Sequence, residues 1–227
     1  MKKPGYRIYE NMVRPSAETL KLFDGIPVPN LDDCMSRTAA IGGGVRSLNS
    51  KRMVGPAYTI DCPEGDNLLF YYAIAHAQPG DIIVVANHGF SSRALCGEIM
   101  ATWAEARKLG GFVIDGAVRD YEELTKMDFP VFAGHTIPNG PYKNGCGEIN
   151  VPVAVGGRLV NPGDILVGDG DGLIVIRPED AEWVAQQAHG VMAKEAKMME
   201  DIRTTGNLNI DWVYKKLEAD GCQFINK

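Results

Sequence analysis

The run Ile82-Ile83-Val84-Val85-Ala86 restricts the fold more than any other feature of the chain. Consecutive aliphatic residues without polar alternation suit a buried strand, and the run is far too short to span a membrane. Pro79-Gly80-Asp81 just before it reads as a turn. Helical patterns flank it. Asp66 can cap a helix over 67–77, where Leu68, Leu69, Tyr72, Ala73 and either Ala75 or His76 form an apolar face. On the other side, the loop Asn87-His88-Gly89-Phe90-Ser91-Ser92 leads to a helix predicted over 95–109. Ile99, Trp103 and Ala106 share one face of it and Gly110-Gly111 ends it. Phe112-Val113-Ile114 is another buried strand, and residues 54–61 form an earlier one. Alternating strands and helices predict a mixed α/β domain.

The remainder is punctuated by turn and cap residues. Residues 1–15 read as an arm with little periodicity. Ser16 can cap a short helix through Asp24, residues 25–29 break it, and a second helix is predicted over 31–38. Gly42-Gly43-Gly44 reads as a flexible turn. A short helix near 121–126 and a strand over 130–136 follow. Short β runs come next at 151–155, 158–160, 165–167 and 173–176. Gly156-Gly157, Asn161-Pro162-Gly163-Asp164 and Asp169-Gly170-Asp171-Gly172 are turns between them. Pro178 opens a long helix to about Arg203, Gly206 stops it, and a last helix covers 210–219. The expected division is residues 1–177, an α/β domain with an N-terminal helical arm, and 178–227, a C-terminal helical extension of the same domain.

Composition removes several function classes. A net charge of −6 argues against general nucleic-acid binding. Five cysteines, an odd number with no C-x-x-C, signal neither a disulfide framework nor a zinc knuckle, so reduced thiols in the cytoplasm are expected. The basic start, MKKPGYRIYENM, lacks the apolar core of a signal peptide. No G-x-G-x-x-G links a strand to a helix, so a dinucleotide fold is not indicated, and the four histidines show no metal-ligand spacing.

Two places can carry chemistry. At a helix start, unpaired N–H groups of Leu95, Cys96, Gly97 and Glu98 can receive a carboxylate or phosphate, or Glu98 can simply complement the helix dipole. Arg119-Asp120 follows a buried strand, where α/β folds tend to bind ligands. Arg can hold a carboxylate and Asp a hard divalent cation, or the two can form a surface ion pair or cap the next helix. Cys96 reads as an inert thiol, and Asp169–Gly172 as a hairpin turn rather than a calcium loop.

The segment CGEIMATWAEARKLGGFVIDGAVRDYEEL resembles the family of 4-hydroxy-4-methyl-2-oxoglutarate aldolase, 4-carboxy-4-hydroxy-2-oxoadipate aldolase and the regulator of ribonuclease activity A. GPAYTIDCPEGDNLLFYYAIAHAQPGDIIVV and GCGEINVPVAVGGRLVNPGDILVGDGDGLIVIRPEDAE are similar too, so the resemblance covers roughly residues 30–190. It implies a swivelling β/β/α domain, a compact β core flanked by helices, assembled as a homotrimer or homohexamer. It implies a class II aldolase that also decarboxylates oxaloacetate. Pyruvate would bind to backbone amides of Leu95, Cys96, Gly97 and Glu98, with Arg119 at its oxygen. Asp120 would hold Mg2+ or Mn2+, and Glu98 would hold the waters around it. The partner is then a small 2-oxo acid, with neither nucleic acid nor membrane expected. His88, Asn139, Lys143 or a neighbouring subunit would read the distal groups. The resemblance also admits a non-catalytic, protein-binding regulator.

Overall fold

The computed structural model describes residues 3–42 and 44–225, so Gly43 of the predicted glycine turn lies outside the described residues. The chain divides into two units, Met1–Ala188 and His189–Lys227. The first is built on four parallel strands side by side: β3 (Met53–Asp61), β4 (Ile82–Cys96), β5 (Gly111–Val118) and β6 (Val131–Thr136). Helix α3 (Leu68–His76) joins β3 to β4, α4 (Glu98–Ala106) joins β4 to β5, and α5 (Tyr121–Leu124) joins β5 to β6.

The aliphatic runs lack alternation because both faces of this sheet are covered. Ile83 and Val85 point to one face, with Phe112, Ile114, Phe70, Ile74 and Met100. Ile82, Val84 and Ala86 point to the other, with Val113, Phe132, Val155, Val160 and Leu166. The second face is closed by β8 (Val153–Val155), β9 (Arg158–Val160), β10 (Ile165–Gly168) and β11 (Leu173–Ile176). The amino-terminal half of β3 pairs antiparallel with β10, and its other half pairs parallel with β4. The turn before β4 is pinned by Asp81, fully buried, which accepts both Nε and Nη2 of Arg14 at 2.7 Å.

Several predicted elements shift. The arm contains β1 (Tyr6–Ile8), parallel to β7 (Gly147–Ile149), and β2 (Arg46–Ser47) pairs with β6 at the opposite edge. Ser16 does cap α1 (Ala17–Lys21), its Oγ accepting from Thr19 N at 3.1 Å. Helix α2 runs Val28–Cys34, earlier than predicted, because Pro29 sits in the first turn, where a missing N–H costs nothing. The predicted loop at 87–92 is part of β4, and the helix after it starts at Glu98 instead of Leu95. The cause is tertiary. Residues 87–96 stay beside β5 through three register shifts, which bulge the strand and end its regular alternation. Asp169–Gly172 is the predicted hairpin turn, between β10 and β11. Pro178–Asp180 forms a single 3-10 turn, and α6 (Ala181–Thr205) follows. The second unit holds the distal part of α6 and α7 (Asp211–Ala219), which buries none of its residues within the chain. Among the described residues, no helix is long and apolar enough to cross a membrane.

Candidate active site

The site forms where β4 and β5 end side by side. Arg119 N donates to Cys96 O at 2.9 Å, which brings Gly97 and Glu98 against Arg119 and Asp120. Asp120 adopts a left-handed backbone, φ 56° and ψ 42°. That conformation is uncommon outside glycine. It turns the carboxylate away from its own helix, for which it forms no side-chain cap bond. Oδ2 instead accepts from Glu98 N, in the first turn of α4, at 3.1 Å. Arg119 Nε lies 3.6 Å from the same oxygen. Asp120 Oδ1 takes no hydrogen bond from the described residues, and the side chain is 39% exposed. Gly97 is required here for space: a Cβ would collide with Asp120 Oδ2 and come within 2.9 Å of Arg119 Cγ.

These residues line a cleft of about 160 Å3. Leu95, Cys96 and Gly97 line it together with Arg119, Asp120, Asn67, Tyr71 and Lys143. Leu95 and Cys96 belong to the end of β4 and are buried. Burial, reinforced by the charge of Asp120, pushes the Cys96 thiol well above its ordinary range, which keeps it protonated. The Glu98 side chain is exposed and does not line the cleft, while its amide is already engaged by Asp120. His88 pairs with Asp61 at 3.2 Å, outside the cleft lining. Asn139 also stays outside that lining, its carbonyl accepting from Ala94 N at 2.8 Å. Of the three distal readers expected from sequence, only Lys143 lines the cleft.

From sequence, Asp66 is the cap and Asn67 the first residue of the helix, whereas the structure puts Asn67 itself at the cap position, with no side-chain cap bond. Asn67 is 2% exposed, and its Nδ2 donates to Leu95 O at 2.7 Å. Its Oδ1 is fully buried without a partner, and the residue lines the cleft. Leaving such a group unpaired costs about 1–3 kcal/mol.

A single hard oxygen ligand suits Mg2+ or Mn2+, which retain waters or take substrate oxygens in their remaining positions. Among the described residues, no three His, Cys, Asp or Glu side chains gather to hold a metal by themselves. The open Asp120 oxygen beside a cleft therefore fits an ion completed by a chelating ligand.

The fold and cleft define a mixed α/β protein with a small polar site beyond the carboxyl ends of adjacent parallel strands. Residues 20–175 match the family described as RraA-like, Aldolase/RraA. A protein of Halalkalibacterium halodurans named "Putative 4-hydroxy-4-methyl-2-oxoglutarate aldolase" is 35% identical over 178 residues, 78% of this chain and 85% of that one. An uncharacterised Pseudomonas syringae protein superposes with a TM-score of 0.76 at 24% identity, over 86% of this chain and 92% of that one. The RNA-processing inhibitor RraA of Thermus thermophilus has a TM-score of 0.61 at 31% identity, over 66% of this chain and 92% of that one. The chain belongs to the RraA-like family.

Proposed function

We propose that the protein is a lyase, a divalent-metal-dependent pyruvate aldolase that cleaves a 4-hydroxy-2-oxo acid and decarboxylates oxaloacetate. One observation carries the reading: the Asp120 carboxylate is turned into the cleft beside Arg119, one oxygen fixed by Glu98 N and the other open. The substrate is of the 4-hydroxy-4-methyl-2-oxoglutarate or 4-carboxy-4-hydroxy-2-oxoadipate type. The Halalkalibacterium relative supports the class of reaction.

Asp120 would hold Mg2+ or Mn2+. When bound, the ion acts as a Lewis acid toward the 2-oxo group. Arg119 adds positive charge where the enolate oxygen develops as the C3–C4 bond breaks. Its planar fork matches an oxo acid. Leu95, Cys96 and Gly97 present backbone to the pyruvate end of the substrate, and Gly97 gives it close approach. Glu98, exposed outside the cleft lining, takes the 4-hydroxyl proton through a water. Lys143 attracts the distal carboxylate. Oxaloacetate loses CO2 to give the same enolate, so both reactions use Arg119 and Asp120 while only the cleavage needs a base. In each, the enolate takes a proton at C3 from water to give pyruvate. A homotrimer or homohexamer in the cytoplasm completes the proposal. The five free cysteines support that compartment.

The test is a panel of 4-hydroxy-2-oxo acids and oxaloacetate, assayed for pyruvate release with Mg2+, with Mn2+ and with EDTA. Release that requires the metal is expected. A second reading rests on the likeness to the Thermus RNA-processing inhibitor: a regulator that acts by binding a protein. Absence of release from every substrate with either metal favours that reading.

A further inference from the structure

Lys143 reaches the cleft on residues 139–145, a segment with no helix and only one isolated bridge. Irregular segments are ordinarily mobile. This one is tied down along its length. Ala94 N donates to Asn139 O at 2.8 Å, and Tyr142 N to Gly65 O at 2.7 Å. Two side chains outside the cleft lining carry much of the rest. Arg93 donates Nη1 to Gly140 O and Nη2 to Tyr142 Oη, each at 2.8 Å, with its guanidinium 3.9 Å from the Tyr142 ring centroid. Asp66, 4% exposed, accepts Asn144 N at 2.6 Å and Gly145 N at 3.2 Å on Oδ2. Its Oδ1 takes Leu68 N at 2.9 Å, at the start of α3 and next to Asn67. Gly65 makes room: its φ is 73°, and a Cβ would meet Arg93 Cδ and Phe90 Cε1 at 3.0 Å.

We infer that Asp66 and Arg93 are positioning residues that hold 139–145 as a fixed strap, so that Lys143 is in place to bind the distal carboxylate of a 2-oxo dicarboxylic acid. The substrate class rests on the aldolase reading above. The reason is entropic. A lysine on a mobile loop must be ordered at each binding event, whereas a clamped strap removes that cost beforehand. The clamp therefore acts on substrate affinity and leaves the enolate chemistry at Arg119 and Asp120 alone.

The experiment uses full-length protein: wild type, Asp66→Asn, Arg93→Ala, Lys143→Ala and the Arg93→Ala/Lys143→Ala double variant. Cleavage of 4-hydroxy-4-methyl-2-oxoglutarate with Mg2+ gives kcat and KM. Solvent deuterium exchange into the methyl group of saturating pyruvate reports the enolate step alone. Amide hydrogen exchange at Tyr142, Asn144 and Gly145 reports the strap. Asp66→Asn and Arg93→Ala should each raise KM about tenfold with kcat within about threefold. Pyruvate exchange should stay at the wild-type rate and strap amides should lose protection. The double variant should lose no more than Lys143→Ala alone, because residues acting through one another are not additive. Additive losses, an unchanged KM with an unprotected strap, or equal loss of pyruvate exchange each overturn the proposal. If wild type neither cleaves nor exchanges, the aldolase reading fails while the amides still judge the clamp. Unchanged protection in both single variants overturns it.

Discussion

At the residue scale, Asp120 concentrates the constraints of the site. Its left-handed backbone costs on the order of 1–3 kcal/mol and persists only where neighbours enforce it. The enforcers are Glu98 N and the space above Gly97. If Arg119 and Asp120 were only a surface pair, removing either would cost about 0–1 kcal/mol and no activity. In the proposed role, Arg119→Lys keeps the charge but loses the fork. It should lower kcat/KM for oxaloacetate at least tenfold, about 1.4 kcal/mol of transition-state stabilisation. Asp120→Asn should lose more, since a neutral amide is a poor ligand for a hard cation. Circular dichroism should show both variants folded, and wild-type rates in both would remove the pair from the reaction. Gly97→Ala tests the packing. The added methyl must displace the Asp120 carboxylate, so metal-dependent activity should fall by more than tenfold, with a stability cost of about 1–3 kcal/mol in urea unfolding. The position of Arg119-Asp120 beyond a buried strand was legible in the sequence, while the role proposed for the pair came from the family resemblance. The place of Asn67 was not, because its side chain is held by Leu95 O and Met100 Sδ, 28 and 33 residues away.

At the element scale, the short aliphatic runs were legible and the irregular strand was not. Residues 82–86 and 112–114 are buried on both faces, and their composition states it. Residues 87–92 have the composition of a loop, yet they remain in β4 because β5 runs beside them to Val118. That long-range pairing carries Leu95 and Cys96 to the cleft as strand, with Gly97 as the hinge into α4. Strands β1 and β7 are three residues each and escape any local pattern. The end of β5 also supplies a pH prediction. Burial pushes the Asp115 carboxyl above its ordinary range, outweighing a hydrogen bond from Gly89 and the nearby His88 and His135. A raised pKa means the folded state holds the proton over a window where the unfolded chain has released it. Stability is then lost as pH rises through the ordinary carboxylate range and up to the folded value. In urea unfolding, wild type should weaken relative to Asp115→Asn as pH rises through that window. A constant difference between the two would show that Asp115 does not titrate differently on folding.

At the scale of the whole molecule, the open question is what covers the apolar side chains the single chain leaves in water. Scattered exposed apolar residues are normal in a monomer, but large aromatics are a costlier exposure. Trp183 is 56% exposed, Trp212 68% and Tyr214 55%, and α7 buries nothing within the chain. Burying apolar area stabilises association by roughly 25 cal/mol per Å2 before association costs, so side chains of this size are natural interface anchors. The proposed trimer or hexamer would supply their cover. Light scattering at micromolar concentration should then give three or six times the 24.7 kDa of the chain. Removing residues 207–227 discriminates further, because no residue of α7 contributes to the core. The truncated chain should retain its far-ultraviolet spectrum apart from the lost helix. It should shift toward smaller assemblies if α7 packs between subunits. An intact chain at a clean 24.7 kDa contradicts the assembly, and an unchanged oligomer after truncation assigns the contacts to the first unit instead.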